Sequence, residues 1–261
     1  MMTMFTVLPQ TTDDELLSVI NMMNQRGGRM LSMVDLIEAG TVSCDMAAYF
    51  HDRMQEGASV LTCAAPGGVG KTALLGAILG LLPREAKLVT VGAGAANVAP
   101  ISCQGPVWYL CHEIGNGPFY GYLWGHEVKK LLSLIGHKHA IAATAHADTM
   151  DELRALLSQD DLQVSLHELA KVDIIAFIHR VRVEGIGGFS RRVVAVFASD
   201  GREQHLAFRW NPATDTHERS SMVNPNVQSA KLFRELVRRG VKELAAVRIA
   251  INHAHNDAIQ Q

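Results

Sequence analysis

The stretch S-V-L-T-C-A-A-P-G-G-V-G-K-T-A-L-L-G-A-I-L-G-L-L, from Ser59 to Leu82, constrains this chain more than any other. It reads as a buried strand, a glycine-rich turn and an apolar helix. Glycines in such a turn let backbone N–H groups converge on one point, and the N-terminus of the following helix adds its partial positive charge there. A polyphosphate suits that point. Lys71 is placed to reach the terminal phosphates, and Thr72 offers a hydroxyl to Mg²⁺. The cradle comprises Pro66, Gly67, Gly68, Val69, Gly70, Lys71 and Thr72, a Walker A pattern in which Ala65 stands where a first glycine is usual. The plainer alternative is a glycine-rich turn that carries a lysine by chance.

At 261 residues with 48% hydrophobic content, the chain can bury one large core, or one core and a small appendage. A soluble globular protein is expected. The formal net charge of −2 supplies no overall basic field, so contact with nucleic acid or anionic lipid would need a local patch, and no specific nucleic acid is expected as a partner. Cys44, Cys63, Cys103 and Cys111 are widely spaced without a C-x-x-C pair, which predicts reduced thiols and a cytosolic setting. The first residues lack a secretion signal, and the apolar run from Ala73 to Leu82 is too short to span a bilayer.

Ahead of the loop, apolar periodicity predicts helices over Asp13 to Gln25, Met33 to Glu38 and Ser43 to Gln55. This part is too small to stand alone and is expected to pack on the core. After the loop's helix, Lys87 to Val91 reads as a strand and Gly92 to Pro100 as a loop. V-W-Y-L-C-H-E, Val107 to Glu113, is then a buried strand ending in an acid, the place from which Glu113 would polarise an attacking water. A surface carboxylate at a strand end is its plainer reading.

A helix over Val128 to Ile135, the strand Ala140 to Ala147 and a helix from Met150 capped by Asp148 and Thr149 follow. His146, at the end of a parallel strand, falls on the ligand edge of an open α/β sheet. The H-x-H pairs at 137/139 and 253/255 raise a metal-binding alternative, unsupported by nearby cysteines. Val172 to Val183, Arg191 to Ser199 and Gln204 to Trp210 read as three strands of a meander, with Arg180, Arg182, Arg191 and Arg192 clustered around its first turn. Those arginines suit a neighbouring subunit's phosphates, an acidic partner or simply a solvated face. Helices over Val227 to Arg239 and Val241 to His255 close the chain.

Taken in order, these pieces resemble the secretion and pilus-assembly ATPases of type II and type IV secretion, type IV pili and archaeal flagella. The resemblance spans about Met33 to Trp210. D-L-I-E-A-G-T-V-S-C-D-M-A-A-Y-F is similar to the segment before Walker A in the archaeal and tight-adherence members, H-E-I-G-N-G stands at the Walker B glutamate, and G-H-K-H-A-I-A-A-T-A-H-A-D-T-M-D-E-L resembles the histidine box. The likeness implies an α/β fold: a RecA-like P-loop NTPase core with a short helical N-terminal extension and a C-terminal β-meander plus helices. Three parts are implied, an extension over 1–57, an ATPase core with C-terminal strands over 58–212 and a helical segment over 213–261.

The resemblance further implies ATP and Mg²⁺ as ligands, Glu113 as the activator of water, and His137 or His146 as sensor of the γ-phosphate. It implies a hexamer, or a hetero-oligomer with a larger secretion ATPase, acting on an inner-membrane platform protein from the cytoplasm. Three features depart from the family. Gly92 and Ala93 replace an acidic pair, Gly115 replaces an arginine, and most of the large N-terminal domain is missing. Positive charge at the transferred phosphoryl group is worth about 10³ or more in rate. A nucleotide-binding scaffold without turnover is therefore the competing reading, and a DNA-handling ATPase a third.

Overall fold

The computed structural model describes residues 13–24, 27–65, 67–92, 100–101, 105–117, 121–185 and 187–259. The strands in chain order are β1 (Val60–Cys63), β2 (Lys87–Val91), β3 (Val107–Ile114), β4 (Tyr122–Leu123), β5 (His139–Ala145), β6 (Ile174–Val181), β7 (Ser190–Ser199), β8 (Gln204–Asn211) and β9 (Thr216–Arg219). They form one sheet in the order β2-β3-β5-β1-β6-β7-β8-β9, with β4 extending the end of β3. The half from β2 to β6 is parallel, and the half from β6 to β9 is an antiparallel meander.

β1 is buried along its whole length between β5 and β6, which is why V-L-T-C shows no alternation of polar and apolar residues. Parallel neighbours require crossovers, and helices supply them on both faces. One face is covered by α1 (Asp13–Met22), α2 (Met33–Glu38), α3 (Cys44–Gln55), α4 (Lys71–Leu79), α8 (Val227–Arg238) and α9 (Leu244–Ile259). The other carries α5 (His126–Ser133), α6 (Met150–Leu157) and the single turn α7 (Leu166–Leu169).

The N-terminal helices are continuous with the core. Leu16, Ile20, Met33, Met46 and Phe50 share one buried cluster with Leu74, Leu75 and Ile78 of α4. Each such side chain contributes about 2 kcal/mol by leaving water. Ser32 begins α2 with a reciprocal capping box to Asp35, and Ser43 caps α3, so local sequence sets both helix starts. α4 is apolar on every side because it is enclosed on every side. Gly76 and Gly80 make that possible: an added Cβ would come within 2.9 Å of the Met30 sulfur at the first and 2.6 Å of Leu244 Cδ1 at the second.

The boundaries expected from sequence shift in places. α1 ends at Met22, α5 starts at His126 and stops at Ser133, β5 starts at His139 and stops at Ala145, and β6 covers Ile174 to Val181 rather than 172–183. α9 starts at Leu244, since Gly240 has φ 65° and the three residues after it are not helical. β4, α7 and β9 were not expected. β9 carries the sheet beyond Asn211 and Pro212, so the segment from 213 onward begins with a strand and only then becomes helical.

Candidate functional site

β1 ends at Cys63, and the chain then turns from the carboxyl edge of the sheet into α4. Gly68 (φ 82°) and Gly70 (φ 121°) hold left-handed conformations that a side chain would strain. Ala65 is not among the residues with positive φ, so its Cβ meets no left-handed strain. Its N–H donates to Asp148 Oδ1 at 2.7 Å. Pro66 lies outside the described residues.

Lys71, the first residue of α4, is buried, and its ammonium turns back under the loop to donate to Ala64 O at 3.1 Å. β3 delivers Glu113 to the same place, with Oε1 3.3 Å from Lys71 Nζ. Between the two strands runs β5, which delivers Thr144 and, just past its end, His146. The Thr144 hydroxyl lies 2.9 Å from Glu113 Oε2 and 2.7 Å from His112 O. His146 Nε2 is 3.0 Å from Glu113 Oε1, while its Nδ1 is 2.7 Å from Ala65 O and 3.2 Å from Lys71 Nζ.

Loop, acid and histidine therefore meet at one point because β1, β5 and β3 lie side by side and end on one edge. The contact is ionic yet imperfect. Glu113 Oε1 is buried with no properly angled hydrogen bond, although two cationic or basic nitrogens stand within 3.3 Å. A buried carboxylate oxygen left this way costs free energy that a further donor would recover. Thr72 is half-buried in the first turn of α4, and Thr62 Oγ1 of β1 donates to Lys71 O at 3.2 Å.

Burial raises the pKa of Cys63 despite the opposing charge of Lys71, and burial pushes the Cys111 thiol up to about 12. Both are free and protonated, and Cys44 is free as well; Cys103 lies outside the described residues. His112, next to the site, has its pKa lowered by burial.

The structure does not bring His137 to this group. It is exposed with φ 42° in the turn before β5, and β5 begins opposite Val107, the first residue of the strand that ends at Glu113. His137 thus stands at the amino edge of the sheet and His146 at the carboxyl edge. Its partner in the H-x-H pair, His139, is 3.1 Å from the Tyr109 hydroxyl. Among the described residues the one trio of His, Cys, Asp or Glu side chains within mutual metal-binding reach is Asp200, Glu203 and His205, apart from both H-x-H pairs. Gly92 is buried, Ala93 lies outside the described residues, and a Cβ at Gly115 would stand 3.2 Å from Glu113 Cγ.

Sequence reasoning overlooked Thr144, Asp148 and His179. His179 Nε2 lies 3.0 Å from Asp148 O and 3.5 Å from its Oδ1, so it backs the carboxylate that holds Ala65. Of the two residues expected to cap α6, Thr149 does so by accepting from Glu152 N, and Asp148 turns its carboxylate to the loop.

A mainly parallel sheet flanked by helices, with a glycine-rich loop between β1 and α4, is consistent with a P-loop NTPase-like fold. No family model matches the chain. It is similar to the uncharacterized protein MJ0900 of Methanocaldococcus jannaschii, 22% identical over 231 residues, covering 77% of this chain and 41% of that protein. Among solved structures it is similar to the VirB11 ATPase of the Brucella suis type IV secretion system in complex with sulphate, with a TM-score of 0.37 and 18% identity, covering 69% of this chain and 55% of that one. The chain thus spans less than two thirds of either protein's length. No described helix is long and apolar enough to cross a membrane.

Proposed function

We propose that this chain binds Mg-ATP in the loop from Pro66 to Thr72 and hydrolyses it, as an ATPase subunit of a secretion or pilus-assembly machine. One observation carries the reading: Lys71, Glu113 and His146 converge within 3.3 Å of one another at the end of the glycine-rich loop. The under-bonded Glu113 oxygen and the left-handed glycines fit a phosphate ligand accompanied by Mg²⁺. Thr72 would hold the ion, which when bound screens the charge of the phosphate oxygens.

Lys71 has two possible partners. With the loop free it pairs with Glu113, and a triphosphate would draw its ammonium away, leaving the carboxylate to orient water and accept its proton. His146, between Glu113 and Ala65 O, is placed to sense that exchange. His137 has no part in it.

The expected result is Mg²⁺-dependent ATP hydrolysis that Lys71→Ala abolishes and Glu113→Gln lowers by about 10² to 10³ while ATP binding persists. Calorimetry showing no association with Mg-ATP would end the reading. A second reading, a nucleotide-binding scaffold without turnover, is favoured by Gly115, which supplies no guanidinium where the resembling family carries arginine. Tight binding of ATP with no phosphate release, unchanged by Glu113→Gln, selects the scaffold. The hexameric ring, the larger partner ATPase and the membrane platform belong to this proposal, and mass measurement with a non-hydrolysable ATP analogue tests the ring.

A further inference from the structure

A loop whose N–H groups converge on a ligand must turn carbonyls outward, and those carbonyls need donors of their own. In this chain Val69 is buried and its carbonyl accepts from Arg191 Nε at 2.8 Å. Arg191 belongs to β7, far away in sequence, and its Cδ lies 3.4 Å from where a Cβ on Gly70 would be. The other end of the loop is tied to the same hairpin. Ala65 N donates to Asp148, which is held in turn by His179 of β6. The β6–β7 hairpin thus grips the loop at both ends, once directly and once through Asp148.

A charge pattern on that hairpin points the same way. Arg180 stands directly opposite Arg191 in the antiparallel register, an arrangement that repels across a strand pair. Arg180 and Arg182 turn instead to the exposed ring of Phe189, at 4.6 and 5.2 Å from its centre. Arg191 alone of these touches the loop, and no bond of its terminal amino groups is recorded among the described residues. Like charges kept together beside an anion-binding turn are relieved when the anion arrives.

We propose that Arg191 is a positioning residue that holds the loop in its amide-inward form and so sets the affinity for triphosphate within a single chain. This rests on the phosphate reading above. Its role is separate from that of Arg192, which faces away and is consumed by Asp215 and Ala39 O.

The test is calorimetry on the full chain with Mg-ATP and, separately, with Mg-tripolyphosphate, which has no base or sugar. Arg191→Ala should weaken both ligands equally, by about tenfold, the loss typical of one charge-assisted bond. Arg191→Lys should recover part of the loss, and Arg182→Ala should leave both affinities within about twofold. The melting temperature without ligand should fall only modestly in Arg191→Ala, since the side chain is exposed apart from its one bond to the Val69 carbonyl; should that variant fail to fold, Arg191→Gln is read in the same way. Wild-type affinity in Arg191→Ala overturns the proposal. So does a loss confined to ATP, which would make the arginine a contact for the nucleoside. A wild-type chain that binds neither ligand removes the phosphate reading and this inference together, whereas a chain that binds both and ignores Arg191 removes the inference alone.

Discussion

Two buried ionic clusters in this protein are built on opposite plans. Around Arg192, which is 3% exposed, donors and acceptors match: Nε and Nη2 each bond Asp215 at 2.7 Å, and Nη1 bonds Ala39 O and Arg191 O. Asp215 also accepts from Trp210 Nε1 at 2.8 Å, and the bonds from Arg192 lower its pKa. Around Lys71 the matching fails, because Glu113 Oε1 is buried beside two nitrogens and properly bonded to neither. A saturated cluster fastens α2 to the meander. An unsaturated one leaves bonding capacity unused at the end of the glycine-rich loop, at a cost that the surrounding sheet carries.

The comparison is broken most easily by removing one charge from each cluster. Arg192→Ala should destabilise the chain by about 3 kcal/mol, because it leaves Asp215 with Trp210 Nε1 alone and takes the guanidinium from two carbonyls; Asp215 is partly exposed, which holds the loss to the lower end of the range. Glu113→Gln should cost less, about 1 to 2 kcal/mol, since the carboxylate it removes is ill-bonded, while the buried Lys71 ammonium loses its counter-charge but keeps Ala64 O. Urea unfolding of the two variants decides it. Equal losses would mean that Glu113 is a structural ion pair like Arg192, and the distinction between the plans would be lost.

A second structural arginine sharpens the contrast. Arg248 of α9 is 1% exposed and donates to Leu82 O at 2.6 Å, Pro83 O at 3.1 Å and Asp13 at 2.9 Å. It therefore satisfies carbonyls just beyond the C-terminal end of α4, at the far end from the glycine-rich loop, and complements that helix's dipole. Arg248→Ala should destabilise by about 2 kcal/mol, while ATP affinity stays within about twofold. A matching loss of affinity would show instead that strain at one end of α4 reaches the loop at the other.

Much of this was legible in the sequence, and the reasons differ by region. Periodicity located α2, α3, β2 and β3 closely, because its signal is local: V-W-Y-L-C-H-E reads as a buried strand, while the Ser32 and Ser43 caps that start the two helices were not singled out. Glu113 and His146 were placed with the loop because each stands at the end of a buried strand. His137 entered only through the resemblance, as the alternative to His146, and strand direction puts it at the opposite edge of the sheet. Thr144, Asp148 and His179 were unreadable as site residues, and Arg191 was read only as one of four arginines on the hairpin, open to a neighbouring subunit's phosphates, an acidic partner or solvent. Their contacts with the loop and with Glu113 bridge 31 to 122 residues of chain, and no short motif encodes such a distance. β9 was missed because T-H-E-R has no apolar face at all and is held by pairing with β8.

The smallest effect expected concerns acid, and it reaches both regions. Burial lowers the pKa of His112 beside Glu113. Burial also lowers that of His217, with the charge of Arg192 adding to it and the Val193 carbonyl and Asp215 opposing it. An imidazole whose native pKa lies below the ordinary value of about 6.5 takes up its proton more readily when unfolded. Above that value both states are neutral and these residues leave stability untouched, and as pH falls below it the unfolded chain binds more protons, so stability declines. Asp35, Asp52 and Asp215 have depressed pKa values and act only below about pH 4, where protonation removes their contribution. The window between pH 7 and 5 therefore isolates the imidazoles. Unfolding free energy should drop across it, and His217→Gln and His112→Gln should each flatten the slope, the first by relieving the meander and the second by relieving the site. A slope that stays as steep in both variants would place the acid sensitivity elsewhere, and a rise in stability on acidification would reverse the sign derived from their burial.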